Sequence, residues 1–335
     1  MTLIRKIAVV GMLGAVALSA NNANASRARN NVMFGNAGNA GAGAGSFYYD
    51  VAYNMFYNPS YVNDFKNWGI VEKATAGTTS EAAAGFVTSM MGMNVGVYLN
   101  RTGTTNPLVA YTGSATRPLE LFIGGDHGLK WGAGLSYLAA SKQSDIALSA
   151  GAQVANFEPF AKIRLAAKNE SVDASKETAS DFTVGTRYKW GEWVPYAQFA
   201  TNSEKLNSTA VDSTKTTNLL VGLGRNTKLT DSVTMNYTIS FSSNKTGTGD
   251  AVTSIPLILS LEGDVVSWLT LRSGVTYSMS RAAGSAATTA RIGGTFHIGK
   301  LDWNFAAGTA GGAIDSDTIG FNEQLLAQSS IAFRW

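Results

Sequence analysis

From Trp68 to the last residue, apolar and polar side chains alternate in short runs separated by polar or glycine-containing connections. In Ser254–Glu262 one side carries Ile255, Leu257, Leu259 and Leu261; in Asp181–Trp190 it carries Phe182, Val184, Tyr188 and Trp190. Leu301, Trp303, Phe305 and Ala307 repeat the pattern, and so does the final stretch, with Leu325, Ala327, Ile331, Phe333 and Trp335 on one side and Gln328, Ser330 and Arg334 on the other. A period of two is the strand period, so each run has one oily and one polar face. The alternation predicts strands near 68–75, 84–91, 93–100, 117–125, 128–139, 144–153, 157–168, 178–190, 193–202, 215–226, 232–243, 253–262, 268–280, 287–298, 301–309 and 325–335. That makes sixteen; if 68–91 belonged to an internal plug, the hairpin at Met91-Gly92 would go and fourteen would remain.

Connections alternate in length. Long ones cover 101–116, 169–177, 203–214, 244–252, 281–286 and 310–324, and short ones sit at positions such as Asp126-His127, Gly191-Glu192 and Gly299-Lys300. The even strand number, the alternation of loops and the aromatic end of the last run together resemble bacterial outer-membrane β-barrels of the porin type. The fold class expected is therefore all-β, a transmembrane antiparallel β-barrel. The resemblance implies short turns on the periplasmic side, lipid and lipopolysaccharide around the wall, recognition of the carboxyl-terminal strand by the barrel-assembly machinery, and a homotrimer as one assembly.

The first residues fit export. Arg5 and Lys6 precede an uncharged apolar stretch from Ile7 to Ala20, and Ala23-Asn24-Ala25 offers a cleavage site before Ser26, the pattern of a signal peptide. A membrane anchor is the other reading, but about twenty apolar residues are needed to span. The expected division is 1–25 signal peptide, 26–66 an amino-terminal plug or periplasmic segment, and 67–335 the barrel. Composition agrees with such a wall: 45% hydrophobic residues without a long apolar run, only 15% charged, with 36 Gly, 6 Pro and no Cys. A formal charge of +3 gives no footprint for nucleic acid.

Under this threading all seven tryptophans (Trp68, Trp131, Trp190, Trp193, Trp268, Trp303 and Trp335) fall at the periplasmic strand ends, the place for an aromatic girdle. The opposite parity places Lys130, Lys162, Arg164, Arg187, Lys189, Arg272, Arg291 and Arg334 inward, with Glu120, Glu158, Glu262 and Asp302 as the inward acids. An excess of inward bases predicts a polar, mildly anion-preferring lumen. The alternative is that these charges pair with acids and stiffen the wall.

Catalytic and cofactor chemistry is thin. His127 reads as a turn residue and His297 as a strand-end residue; no nucleophile motif surrounds either, and no metal-ligand cluster or phosphate loop is present. No enzyme and no cofactor are expected. The stretch from Gly35-Asn-Ala-Gly-Asn-Ala-Gly through Asp50 to Met55-Phe-Tyr-Asn58-Pro59-Ser60 resembles the amino-terminal hatch of the long-chain fatty-acid transporter family, with Ser60 where that family has Ala. The resemblance implies a plug in the lumen and a path for hydrophobic molecules. Two functions follow: a porin-like passive channel for small polar solutes, or a plugged transporter of hydrophobic compounds. A purely structural barrel is the third. The connection 101–116 is the natural candidate for a constriction loop.

Overall fold

The computed structural model describes residues 26–34, 45–76, 79–101, 119–140, 143–169, 177–206, 214–280, 285–309 and 325–335. The signal-peptide stretch, most of the Gly/Ala-rich run and the proposed constriction loop lie outside them. Sixteen strands follow one another: β1 (Trp68–Ala76), β2 (Thr79–Met90), β3 (Met93–Leu99), β4 (Leu119–Asp126), β5 (Lys130–Ala140), β6 (Gln143–Gln153), β7 (Phe157–Asn169), β8 (Glu177–Tyr188), β9 (Trp193–Leu206), β10 (Thr214–Lys228), β11 (Val233–Thr246), β12 (Val252–Val266), β13 (Leu269–Ser280), β14 (Ser285–Ile298), β15 (Leu301–Thr309) and β16 (Leu325–Arg334). Each pairs antiparallel with its sequence neighbours, and β1 pairs with β16, with Trp68 opposite Arg334 and Thr75 opposite Ala327. The sheet is a closed barrel with sixteen strands, so the fourteen-strand alternative falls.

The hairpin that decides this count is β2–β3. Met91 and Gly92 both have positive φ, at 53° and 78°, the backbone that a two-residue turn of the primed type demands. Gly meets that demand without strain, while Met91 accepts it at a fully exposed tip.

Alternation sorts the wall as the pattern dictates. Ile255, Leu257, Leu259 and Leu261 on β12 are exposed outward, while Ile258 and Ser260 between them are buried. Arg164 is buried and Leu257 exposed, on opposite faces of the wall. One irregularity resets the parity: the registers of β6 and β8 against β7 shift between Arg164 and Ala167. This bulge lets Arg164 and Ala167 both be buried, with Leu165 turned outward.

A second layer lies inside the ring. Helix α1 (Arg27–Phe34) is wholly buried and packs against β12 to β16. Sequence reading found no period there, because a helix surrounded by wall on all sides has no solvent face to mark. Two 3₁₀ helices, Ala52–Phe56 and Pro59–Asn63, follow, the second packing on β3 to β6. Their aromatic side chains form the main buried apolar cluster: Phe47 stacks on Phe160 and Tyr196, and Phe56 meets Tyr98 and Phe122 edge-on. Among the described residues no helix is long and apolar enough to cross a membrane.

If the outward face meets hydrocarbon, Leu259→Arg is expected to destabilise the barrel by about 2–4 kcal/mol in lipid. The inward Ser260→Ala should cost far less. Urea titration of both variants in phospholipid vesicles measures the difference.

Candidate functional site: the barrel interior

The interior is built where the amino-terminal segment meets the inward residues of the wall. Small residues make room for it. A Cβ on Gly274 would stand 1.9 Å from the Val32 carbonyl oxygen, one on Gly132 2.3 Å from the Pro59 backbone, and one on Gly151 1.9 Å from the Asn58 side chain. These glycines are seats for a second chain segment, which is why they interrupt the inward face of their strands.

Side chains then fasten the segment at two places. Near α1, Arg29 makes a two-pronged contact with Glu262, each prong 2.8 Å, and Arg272 binds the same carboxylate. Arg291 donates to the Asn31 carbonyl at 3.1 Å. The helix start is met by polar groups: Ser26 Oγ accepts from the Arg29 N–H at 2.9 Å, and Glu72 Oε1 accepts from the Arg27 N–H at 2.6 Å. Carboxylate and hydroxyl thus serve amides that the helix leaves open. Across the lumen Asp50 is the second fastening, held by Arg187 and by Lys189 at 2.8 Å, while Glu158 takes Arg187, Lys189 at 2.9 Å and the Tyr61 hydroxyl at 2.6 Å. Withdrawal from water works against ionising Asp50, but the two cations outweigh it and hold its carboxyl below the usual range.

Asn58-Pro59-Ser60 has a local explanation. The Asn58 side chain accepts from Ser60 N at 3.2 Å and from Ser60 Oγ at 2.6 Å, and Pro59 occupies the first position of the short helix. The motif is a cap that turns the segment toward β5 and β6.

The remaining wall charges are paired as well. Glu120 takes both prongs of Arg101 at 2.6 Å; Arg164 bridges Asp145 at 3.1 Å and Asp181 at 2.7 Å; Arg334 binds Asp302 at 2.7 Å; Lys130 binds Asp64. Lys162 is buried beside this cluster. Each of the eight bases and four acids placed inward by parity sits on that face, and Glu158, Glu262 and Asp302 answer Arg187, Lys189, Arg272 and Arg334; the further acids that complete the pairing were not assigned that role from sequence. Asp145 and Asp181 had inward parity and could have been found. Asp50 and Asp64 lie before the first strand, so no alternation marks them as counter-charges, although Asp50 falls in the stretch that resembles a hatch; Glu72 lies on β1, at the same parity as Trp68 and Ile70. The excess of positive charge from which anion preference was expected is largely offset by these carboxylates.

One tryptophan departs from the girdle. Trp68 is fully buried in the interior and donates to the Phe65 carbonyl at 3.0 Å, whereas the other six indoles face outward at the same end of the barrel. Gly69 and Val71 take the outer face of β1 instead; the adjacent apolar pair Ile70-Val71 made its parity ambiguous. Among the outward indoles, Trp268, Phe296 and Trp303 stack in a row, and Arg225 lies 5.1 Å from the Trp193 ring.

Of the two histidines, His127 is exposed in a turn and His297 is internal, 2.7 Å from Asp302 and 2.9 Å from Thr270 Oγ1. Thr270 also lies 2.5 Å from Asp264, so its hydroxyl belongs to a polar network at the wall of a cavity of about 180 Å³. Arg29, Tyr49, Glu262, Arg272 and Asn304 complete that lining at the short-turn end. Among the described residues no group of histidines and carboxylates could hold a metal.

A third sector of the interior is neutral. The inward positions of β9, β10 and β11 carry Gln198, Asn202, Asn218 and Asn236, all buried. Among the described residues Gln198 and Asn236 have no protein partner at either end of the amide, and the side-chain carbonyls of Asn202 and Asn218 have none. Buried groups of this kind are ordinarily answered, by protein or by a molecule from outside it.

No protein-family model matches the chain, and no curated protein matches it. Solved structures share its shape. CdiB from Acinetobacter baumannii aligns over 81% of this chain and 60% of its own, at 10% identity and a TM-score of 0.47. The outer membrane channel DcaP of Acinetobacter baumannii aligns over 80% of this chain and 95% of its own, at 11% identity and 0.46. An anion-selective porin from Comamonas acidovorans aligns over 80% and 98%, at 11% identity and 0.39. The chain spans about 60% of the length of CdiB but nearly all of the other two. These values define no family and assign no solute.

Replacing the seats tests the packing. Gly132→Leu and Gly274→Leu should each drive the segment from the ring, exposing Arg27 and Arg29 to trypsin while the barrel stays resistant; unchanged cleavage would show that the segment does not rest on these glycines. The Asp50 fastening has a pH signature. A lowered carboxyl pKa contributes stability that is present above the ordinary value and is lost as pH falls through the lowered one. Cleavage of the segment by pepsin, which is active in acid, should therefore rise only as pH falls below the ordinary carboxylate value of about 4.

Proposed function

We propose that the chain forms a porin-like channel in a bacterial outer membrane, passing small polar solutes, and that residues 26–66 act as its plug. The observation that carries this reading is the closed ring with an apolar outside and a polar inside. Such a ring leaves no backbone group unpaired in hydrocarbon. In that setting lipid and lipopolysaccharide cover the outer wall, the six outward tryptophans sit at the periplasmic interface, and the short turns face the periplasm. The channel carries out no reaction and holds no cofactor.

The solute path is polar. Apart from the aromatic cluster beneath the plug, the inward face is made of paired charges, hydroxyls and amides. Those aromatic rings are the one feature that favours the alternative, a transporter of hydrophobic compounds. They are engaged with one another: Phe47 packs on Tyr57, Phe160 and Tyr196, and Tyr57 on Phe160. They therefore serve to seat the plug. Because most wall bases are paired with acids, ion selectivity is weak.

Planar-bilayer recording tests the reading. The intact chain should conduct poorly. Arg29→Ala together with Asp50→Asn should raise open-channel current about tenfold or more, since each removes a charge-assisted contact that holds the plug. Absence of current from the intact chain, from this variant and from a chain lacking 26–66 would refute a channel of any kind.

A further inference from the structure

The interior divides into sectors of different chemistry. β4 to β8 carry the ion pairs around Glu120, Arg164 and Arg187; β12 to β16 carry those around Glu262, Arg272 and Asp302. Between them, among the described side chains, the inward positions of β9, β10 and β11 from Val194 to Asn202, Thr216 to Asn226 and Thr234 to Asn244 hold no charge. Among the described residues this sector gathers most of the unanswered amides, Gln198, Asn202, Asn218, Asn226, Asn236 and Asn244, with Asn31 and Gln328 elsewhere. Asn218 is paired in register with Ala200, so it stands beside Gln198 and Asn202 on the neighbouring strand, and Asn236 stands opposite Ser260, whose hydroxyl is also without a partner.

The hydrogen-bonding inventory of this wall restricts what can answer it. Gln198 and Asn236 lack partners at both ends, so whichever way each amide is turned, the wall offers donors and acceptors together. An anion accepts predominantly and brings a charge that no residue of this wall answers. A metal cation binds carbonyl oxygens only and would leave the amide N–H groups unanswered. A peptide brings charged termini that find no counter-charge on this wall. A hydroxyl group donates and accepts at one atom, so a ring bearing several hydroxyls can serve amides spread over three strands without a fixed direction.

We propose that the β9–β11 wall is the solute-recognition surface of the channel and that its solute is an uncharged polyhydroxylated molecule of the sugar class. This rests on the channel reading above and narrows it. The plug covers the short-turn end of the wall: the Asn226 amide donates to the Tyr48 carbonyl at 2.6 Å, and a Cβ on Gly224 would fall 2.2 Å from the Tyr48 side chain. Gln198, Asn202 and Asn218 are buried on the long-loop side of that cover, at strand positions beyond the reach of Tyr48.

Equilibrium dialysis of the full chain in detergent, with radiolabelled maltotriose as the neutral probe and inorganic phosphate as the anionic one, tests this. Saturable maltotriose binding is expected, both in the native chain and in the Arg29→Ala/Asp50→Asn variant that frees the plug, with no competition from phosphate. Gln198→Leu/Asn218→Leu should weaken it tenfold or more. Asn218→Asp, which keeps the shape of the side chain, should weaken it as well and serves if the double variant fails to fold. The proposal is overturned if neither the native nor the freed chain binds maltotriose saturably, in which case the amides hold only water. It is equally overturned if phosphate competes with maltotriose, or if both wall variants bind unchanged. Bilayer current separates the two readings: current without maltotriose binding defeats the wall assignment alone, whereas absence of current from every form defeats the channel itself.

Discussion

The pairing of β1 with β16 is the constraint on which the rest depends. Once the last strand bonds to the first, the sheet has no edge, and a slip of one residue anywhere would turn a whole strand inside out. Closure therefore fixes which side chains are enclosed. It encloses Glu72, Arg164, Arg187 and Arg272, groups that a sheet open to water could leave solvated. The interior must then answer them, and it does so with carboxylates. Charge pairing inside the wall is thus a consequence of closure and register, and only secondarily a determinant of selectivity. Ion pairs of this kind contribute little net stability against an apolar substitute, but removing one partner is costly. They act as locks on the arrangement, and their presence says little about how firmly the barrel is folded.

The strands could be read from the sequence because their environment is two-valued. An oily outside and a polar inside impose a period of two, and the sixteen runs emerge with boundaries close to those observed. Where the environment is not two-valued, reading fails. Helix α1 is enclosed on all sides and carries Arg and Asn beside Val, Met and Phe, so no face distinguishes it. Trp68 was assigned outward because indoles favour interfaces, yet Glu72 on the same strand must reach Tyr98 at 2.6 Å inside, and that settles the parity of both. The glycine seats were equally illegible: a Gly on an inward position reads as a weak strand residue until the segment that fills its space is placed.

The acids of the inner layer escaped for a different reason. Parity finds a charged residue only on an alternating run, and Asp50 and Asp64 belong to the inner layer. A wall examined alone therefore seems more basic than the interior it encloses. The same bias applies to any barrel with an internal segment, because the segment supplies counter-charges that no strand pattern records.

The inner layer is fastened to both charged sectors at once, by Arg29 on Glu262 and by Asp50 between Arg187 and Lys189. On the neutral sector it rests through Tyr48, on Gly224, the Asn226 amide and the Tyr196 ring. Two jobs are thereby given to two chemistries. Charge-assisted contacts are strong and respond to protonation and salt, which suits holding and releasing a segment. Neutral hydrogen bonds are individually weaker and nearly blind to ionic strength. Because the sectors lie on different strands, the contacts that hold the inner layer can change without altering the neutral wall.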